Sequence, residues 1–237
     1  MSATKIITAL LVSLVAGQTV NIPTRSGSII SLPTPSVISG SKDLGNKEFD
    51  RGRSCFTDVE TPGGHPVFIL ENGATLSNVI IGANQVEGIQ CRGTCTLRNV
   101  WFRRVCEDAV RANGNGNILI EGGGAINGET VVNHSGKGTV TIKDFTVAES
   151  NRLYRACGSC ANNGGPRHVI INNVKANGVD LLAGINSNFG DTSTVSNTCG
   201  AGVTKVCQEF RGVQKGQESF KLSTTANCKG QASLAAC

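Results

Sequence analysis

Short runs of Val, Ile, Leu and Thr recur along this chain at a near-constant interval, and few architectures satisfy such a repeat. ATLSNVII (Ala74 to Ile81), CTLRNVWF (Cys95 to Phe102), NILIEGGG (Asn117 to Gly124), GTVTIKDFTV (Gly138 to Val147) and RHVIINNV (Arg167 to Val174) are variants of one unit. Asn78 and Asn99 are 21 residues apart, and Asp144 follows Asn99 by 45, two further steps with Glu121 between them. A self-similar period of about 20 to 30 residues signals stacked supersecondary units.

Each unit is apolar and β-branched, is bounded by Gly and Asn, and lacks a sustained 3.6-residue period, so it reads as a short strand between turns. With 30 glycines available for tight corners, the expected fold is all-β: a single-domain, right-handed parallel β-helix, in which each coil pairs with the coils above and below. Leucine-rich repeats share the period but need a denser Leu framework. An ice-binding β-helix would need a regular Thr ladder on one flat face, which the repeats do not supply.

The opening MSATKIITALLVSLVAGQ places Lys5 before an apolar run from Ile6 to Ala16 that ends in small and polar residues. This reads as a secretory signal peptide over residues 1–17, too short to span a bilayer. The expected organisation continues with an N-terminal segment and cap over 18–54, the β-helix over 55–198, and a C-terminal cap over 199–237 tied by disulfides. Ten cysteines behind a signal peptide favour disulfides over metal ligation. Cys157 and Cys160 have the spacing of a redox or zinc pair, but no second pair matches it. The pairing itself stays open at this level.

With 22 Lys plus Arg against 17 Asp plus Glu, the formal charge is +5, a modest positive field suited to a polyanion. Aromatics make up only 4% of the residues, so stacking platforms for nucleic acid are missing. An anionic polysaccharide met outside the cell, by a monomer with no membrane partner, is the better match.

Residues one period apart should lie on top of one another. Glu87, Asp108 and Glu129 are spaced by 21, which in constant register would make an acidic ladder. Glu107 and Asp108 are adjacent; at a coil corner both could turn outward and, with Glu87, offer three carboxylates to Ca2+, which accepts irregular clusters of oxygen ligands. Arg152 and Arg155 follow, and arginine recognises carboxylates through a planar fork.

Taken together, GHPVFILENGATLSNVIIGANQVEGIQCRGTC, NVWFRRVCEDAV, GTVTIKDFTV, RLYRACGSC, GINSNFGDTSTVSNT and VCQEFRGVQKG run in the order found in a known family. The sequence resembles the small secreted pectate lyases of polysaccharide lyase family 3, over nearly all of the chain from Cys55 to Cys237. The resemblance implies a compact β-helix, calcium dependence, and cleavage of de-esterified polygalacturonate by β-elimination. It places the metal ligands on Glu87, Glu107 and Asp108, with Glu60 as a further acid, and the catalytic cations on Arg152 and Arg155.

The match is broken at one telling place. Where the family has Asp-Lys-Val-x-Gln-His-Asn-Gly, this chain reads ETVVNHSG from Glu129 to Gly136, so the family's lysine, a candidate base or carboxylate anchor, is Thr130. Gln90 replaces a histidine, Arg152 a lysine and Ser135 an asparagine. Lys137 and Lys143 are the nearest displaced cations. Two functions therefore compete: a lyase working through Arg155, and a non-catalytic relative that binds pectin or a host protein.

Overall fold

The computed structural model describes residues 20–55 and 66–237. The signal-peptide reading of 1–17 and the acid Glu60 lie outside the described residues. Eighteen strands and one 3-10 turn, Ser187–Phe189, make up the regular structure of the described residues. Among them all strand pairings are parallel except the one between Lys205–Arg211 and Phe220–Lys221.

The pairings sort into three ladders, the three faces of a parallel β-helix. On the first, Leu76, Leu97, Ile120, Ile142, Ile171 and Val195 succeed one another. The second carries Phe49, Ile81, Phe102 and Ala125. On the third, Phe68, Ile89, Val110, Val132, Tyr154, Ala183 and Cys207 are stacked. All of these are buried and form one continuous core, where each fully buried aliphatic side chain contributes about 1.5–3 kcal/mol.

The corner between the first two faces is built from left-handed residues: Asn78, Asn99, Gly122, Asp144, Asn173 and Asn197 all have positive φ. That conformation costs most L-residues about 1–2 kcal/mol, and Asn and Asp offset it with local hydrogen bonds. Here the bonds also run along the stack, with Asn99 Nδ2 donating to Asn78 Oδ1 at 2.7 Å and Asn173 Nδ2 to Asp144 Oδ1 at 2.6 Å. The sequence landmark Glu121 is therefore one residue off the corner, which is Gly122. Glu121 instead faces out between Arg98 and Lys143, at 3.3 and 2.6 Å.

Parallel pairing reaches Ile30–Ser31 and Ser41–Asp50 at one end and Lys205–Arg211 at the other, so coils extend beyond 55–198 in both directions. All ten cysteines are oxidised, as Cys55–Cys106, Cys91–Cys95, Cys157–Cys160, Cys199–Cys237 and Cys207–Cys228. Cys199–Cys237 and Cys207–Cys228 tie the terminal segment over the last coil, where an open strand edge would otherwise be exposed. On the first face Thr75, Thr96, Thr141 and Thr194 do align, but Leu119 and Ile170 interrupt them.

Candidate active site

The third face carries the site, and a four-residue pattern builds it. Each strand there carries two consecutive buried residues: Ala109-Val110, Val131-Val132, Leu153-Tyr154 and Leu182-Ala183. A regular strand alternates its sides, so two inward residues in succession bend the backbone. The residues flanking the pair, at i and i+3, then line the same outer surface. Two axial rows result. The first runs Glu87, Asp108, Thr130, Arg152, Leu181, Lys205; the second runs Gln90, Arg111, Asn133, Arg155, Gly184, Gln208. Successive members are one coil apart, about 4.8 Å.

Glu129 does not continue the acidic ladder; Thr130 takes that place against Asp108. The reason is coil length. The turn 113–117, between Ala112 and Ile118, is two residues longer than the turn 92–94, between Cys91 and Cys95, and the later stretch 126–129 is one residue shorter than 103–107. The coil thus gains one residue, and Glu129 slips to the rim, where it is exposed and lies 3.5 Å from Arg152. Arg152 and Arg155 stand on one coil, two beyond Asp108.

Glu87 and Asp108 are brought together, and Arg111, which the sequence reading missed, joins them. Its Nη1 meets Glu87 Oε1 and its Nε lies 3.4 Å from Asp108 Oδ2. Asn133 Nδ2 donates to Asp108 Oδ2 at 3.1 Å. The carboxylates of Glu87 and Asp108 do not both turn out freely to solvent; they are 2% and 7% exposed, while Glu107 is exposed beside them. Burial raises Glu87, with Arg111 working against it. Burial likewise raises Asp108 to about 7, with Arg111 opposing and Glu87 reinforcing.

Among the described residues no group of three His, Cys, Asp or Glu side chains is gathered closely enough to hold a metal as it stands. The cluster nevertheless has the chemistry of a cation site. Two carboxylates, Glu87 and Asp108, meet one guanidinium with Glu107 nearby, and Glu87 Oε2 is buried without a hydrogen-bond partner. A buried carboxylate oxygen left unsatisfied is costly, and a hard divalent ion is one group that satisfies it.

Arg155 is held with care. Its Nη1 donates to the carbonyl of Ala156 and to Asn186 Oδ1, its Nη2 to Ser219 Oγ at 3.3 Å, and its guanidinium carbon lies 3.9 Å from the centre of the Phe210 ring. Room for this comes from Gly184, because a β-carbon there would stand 2.7 Å from Arg155 Cδ. Asn186 Nδ2 in turn donates to the carbonyl of Cys157, in the Cys157–Cys160 loop. Burial, reinforced by Arg152, lowers the Arg155 guanidinium to about 10. Between the acids and the arginines lies a cleft of about 410 Å³, bordered by Glu107, Asp108, Thr130, Asn133, Arg152 and Arg155. Its signature, a polar pair at i and i+3 around two apolar residues, is present in the sequence as DAVR, TVVN and RLYR and identifies Arg111 and Asn133.

Lys143 is bound to Glu121 on the first face, away from the cleft, so it does not replace the missing lysine. Lys137 stands in the turn before Gly138, where its N–H is bonded to Asn115 Oδ1.

A family model described as Pectate lyase matches residues 19–217. "Probable pectate lyase E" of Aspergillus fumigatus is 44% identical over 222 residues, covering 91% of this chain and 86% of that protein. The catalytic domain of pectate lyase PelI from Erwinia chrysanthemi superposes with a TM-score of 0.72 at 32% identity, covering 88% of this chain and 97% of the domain. PelI in complex with tetragalacturonic acid gives 0.70 at 35% identity, covering 84% and 69%. With a matching family model over most of its length, relatives of the same description and the same coiled architecture, the chain belongs to the pectate lyase family.

Proposed function

We propose that the protein is an exported, calcium-dependent pectate lyase that cleaves polygalacturonate by β-elimination, with Arg155 and Arg152 as its catalytic residues and Glu87, Glu107 and Asp108 as metal ligands. The observation that carries this reading is the axial order of the third face, where Glu87 and Asp108 precede Arg152 and Arg155 along one cleft. Calcium held by the three carboxylates would polarise the uronate carboxylate and acidify the proton on C5. The five disulfides support an oxidising, extracellular setting.

The chain's own residues divide the remaining work. Arg152 pairs with the substrate carboxylate, its Nη1 steadied by Thr130 Oγ1 at 3.3 Å. Arg155 accepts the C5 proton. Its Nη1 is occupied by two acceptors, so the free capacity lies on Nη2 and Nε. Lowering to about 10 brings its neutral form within reach of alkaline conditions. As the C5 proton leaves, the C4–oxygen bond breaks, a C4–C5 double bond forms, and the departing oxygen is protonated by water.

The test is to incubate the purified protein with polygalacturonate and calcium and follow the ultraviolet absorbance of the unsaturated uronate product, with and without chelator. A calcium-dependent rise that grows tenfold per pH unit up to about 10, the value of Arg155, is expected. No product from folded protein over that range would overturn the reading. If such protein still binds the polymer, the second reading, a binding protein, takes its place; the residue favouring it is Thr130, which carries no charge or basicity.

A further inference from the structure

Beyond the arginines the same face continues into a second, larger cavity of about 650 Å³, and Lys205 and Lys221 in it have no part in the chemistry above. Its cations are Arg152, Arg155, Lys205 and Lys221, its one acid is Asp180, and Phe210 forms part of the wall. Lys205 is the next charged member of the first axial row, two coils past Arg152, with apolar Leu181 between them. Lys221, paired antiparallel with Phe210 at the far end of the strand that Lys205 begins, borders the same cavity. Both lysines are exposed, and neither side chain is drawn into an ion pair or hydrogen bond among the described residues. At the opposite end of the row, each of the cleft's buried acids is tied to Arg111. The face is thus polar in charge, acidic at one end and basic with unspent donors at the other.

We infer that this cavity is an extended subsite for a polyuronate chain: Lys205 and Lys221 take the free carboxylate of a sugar about two coils from the one being cleaved, and Phe210 offers an apolar wall to the ring. Two coils correspond to about 10 Å along the axis. A polymer lying along the face therefore spans from the acids to Lys205 with its carboxylates presented in series. The subsite selects for de-esterified sugar, because a methyl ester removes the charge that an ammonium group recognises. The inference rests on the proposed substrate class, though not on retained turnover.

The test uses the full mature chain and the double variant Lys205→Ala/Lys221→Ala, with kinetics on polygalacturonate and on digalacturonate, which is too short to reach both ends. KM for the polymer should rise about tenfold with kcat falling less than twofold, as expected when charge-assisted contacts to bound substrate are lost. The digalacturonate parameters should stay within twofold. An unchanged polymer KM, or an equal loss on digalacturonate, overturns the subsite. Should the wild type give no product, retardation in a gel containing polygalacturonate replaces the kinetics. Weaker retardation of the double variant then upholds the subsite while the lyase reading falls, and equal retardation overturns the subsite. Retardation fully restored by Lys205→Arg/Lys221→Arg is the outcome expected of charge recognition; its absence with that folded variant overturns it.

Discussion

Thr130 Oγ1 accepts a hydrogen bond from Arg152 Nη1 at 3.3 Å, and the same threonine lies directly above Asp108 in the parallel register. The position is 4% exposed and sits at the border between the acidic and basic halves of the cleft. A threonine here joins those halves without adding charge. Lysine in its place would stand between the Asp108 carboxylate, which favours its charged form, and the Arg152 guanidinium, which favours its neutral form.

The variant Thr130→Lys should therefore add a second proton acceptor beside the reacting carbon. The expected result is a rise in kcat on polygalacturonate of at least tenfold above neutral pH, a part of the about 10²- to 10⁴-fold that a well-positioned base supplies. Steady-state kinetics from neutral to alkaline pH measure it. An unchanged rate would mean that Arg155 alone limits turnover and that position 130 serves only to steady Arg152.

Calcium binding can be separated from catalysis at Asp108. Replacing its carboxylate by an amide keeps the shape and a neighbour for Asn133, which stands 3.1 Å from Oδ2 in the wild type, but removes a formal charge from the cluster. Asp108→Asn should weaken calcium affinity at least tenfold by calorimetry, since hard cations favour carboxylate oxygens. The ion should also raise the melting temperature of the wild type more than that of the variant, by mass action on the folded state. Equal affinity in the two proteins would remove Asp108 from the ligand set.

The strands and the parallel stack were legible because the core repeats one apolar unit per coil, and Leu76, Leu97, Ile120 and Ile142 declare it openly. Glu87 and Asp108 were legible for the same reason, as one full coil separates them. The register of Glu129 was not, because a single extra residue in the following coil is set by turn lengths that carry no periodic signal. Arg111 escaped notice for a different reason. An arginine in a strand reads as solvated charge, and only the bend made by Ala109 and Val110 turns it onto the carboxylates. Arg155 was legible as a charge, yet its seat on Phe210 depends on a contact between coils far apart in sequence.

His134 should weigh against the folded state in acid. It is fully buried, with Nδ1 2.9 Å from the Tyr154 hydroxyl and Nε2 unpartnered. Arg167, His168 and Tyr154 face it, and Asp191 lies behind Tyr154 and Arg167. Burial, then Arg167 and His168, lower the imidazole from 6.5 to about 3. The folded state thus binds fewer protons than the unfolded chain between these values. This contribution is fully present above the unfolded value and is lost as pH falls through it, by up to about 1.4 kcal/mol per unit. Asp108, raised to about 7, and the raised Glu87 and Asp191 act in the opposite sense over the same range, so the imidazole is read as a difference: from pH 7.5 down to about 4.5 the melting temperature of the wild type should drop relative to that of His134→Gln, even if that variant starts lower. Identical slopes would assign the acid sensitivity to other groups.

The seat of Arg155 can be disturbed without breaking the coil. A β-carbon at position 184 would meet Arg155 Cδ at 2.7 Å, Leu181 Cδ2 at 3.1 Å and Phe210 Cε2 at 3.3 Å, all side-chain atoms with freedom to move. Gly184→Ala should therefore cost little stability, about 1 kcal/mol or a few degrees in melting temperature. The guanidinium, however, must leave its position 3.9 Å over the Phe210 ring and give up part of its hold on Asn186 and Ser219. If Arg155 takes the C5 proton as proposed, a displacement of this kind costs on the order of 10²-fold in rate. The expected outcome is a kcat loss of that size with KM nearly unchanged and calcium affinity intact, because the acids lie two coils away. A variant with wild-type kcat would show that Arg155 does not need the seat that Gly184 clears, and the proton transfer would then have to be assigned elsewhere in the cleft.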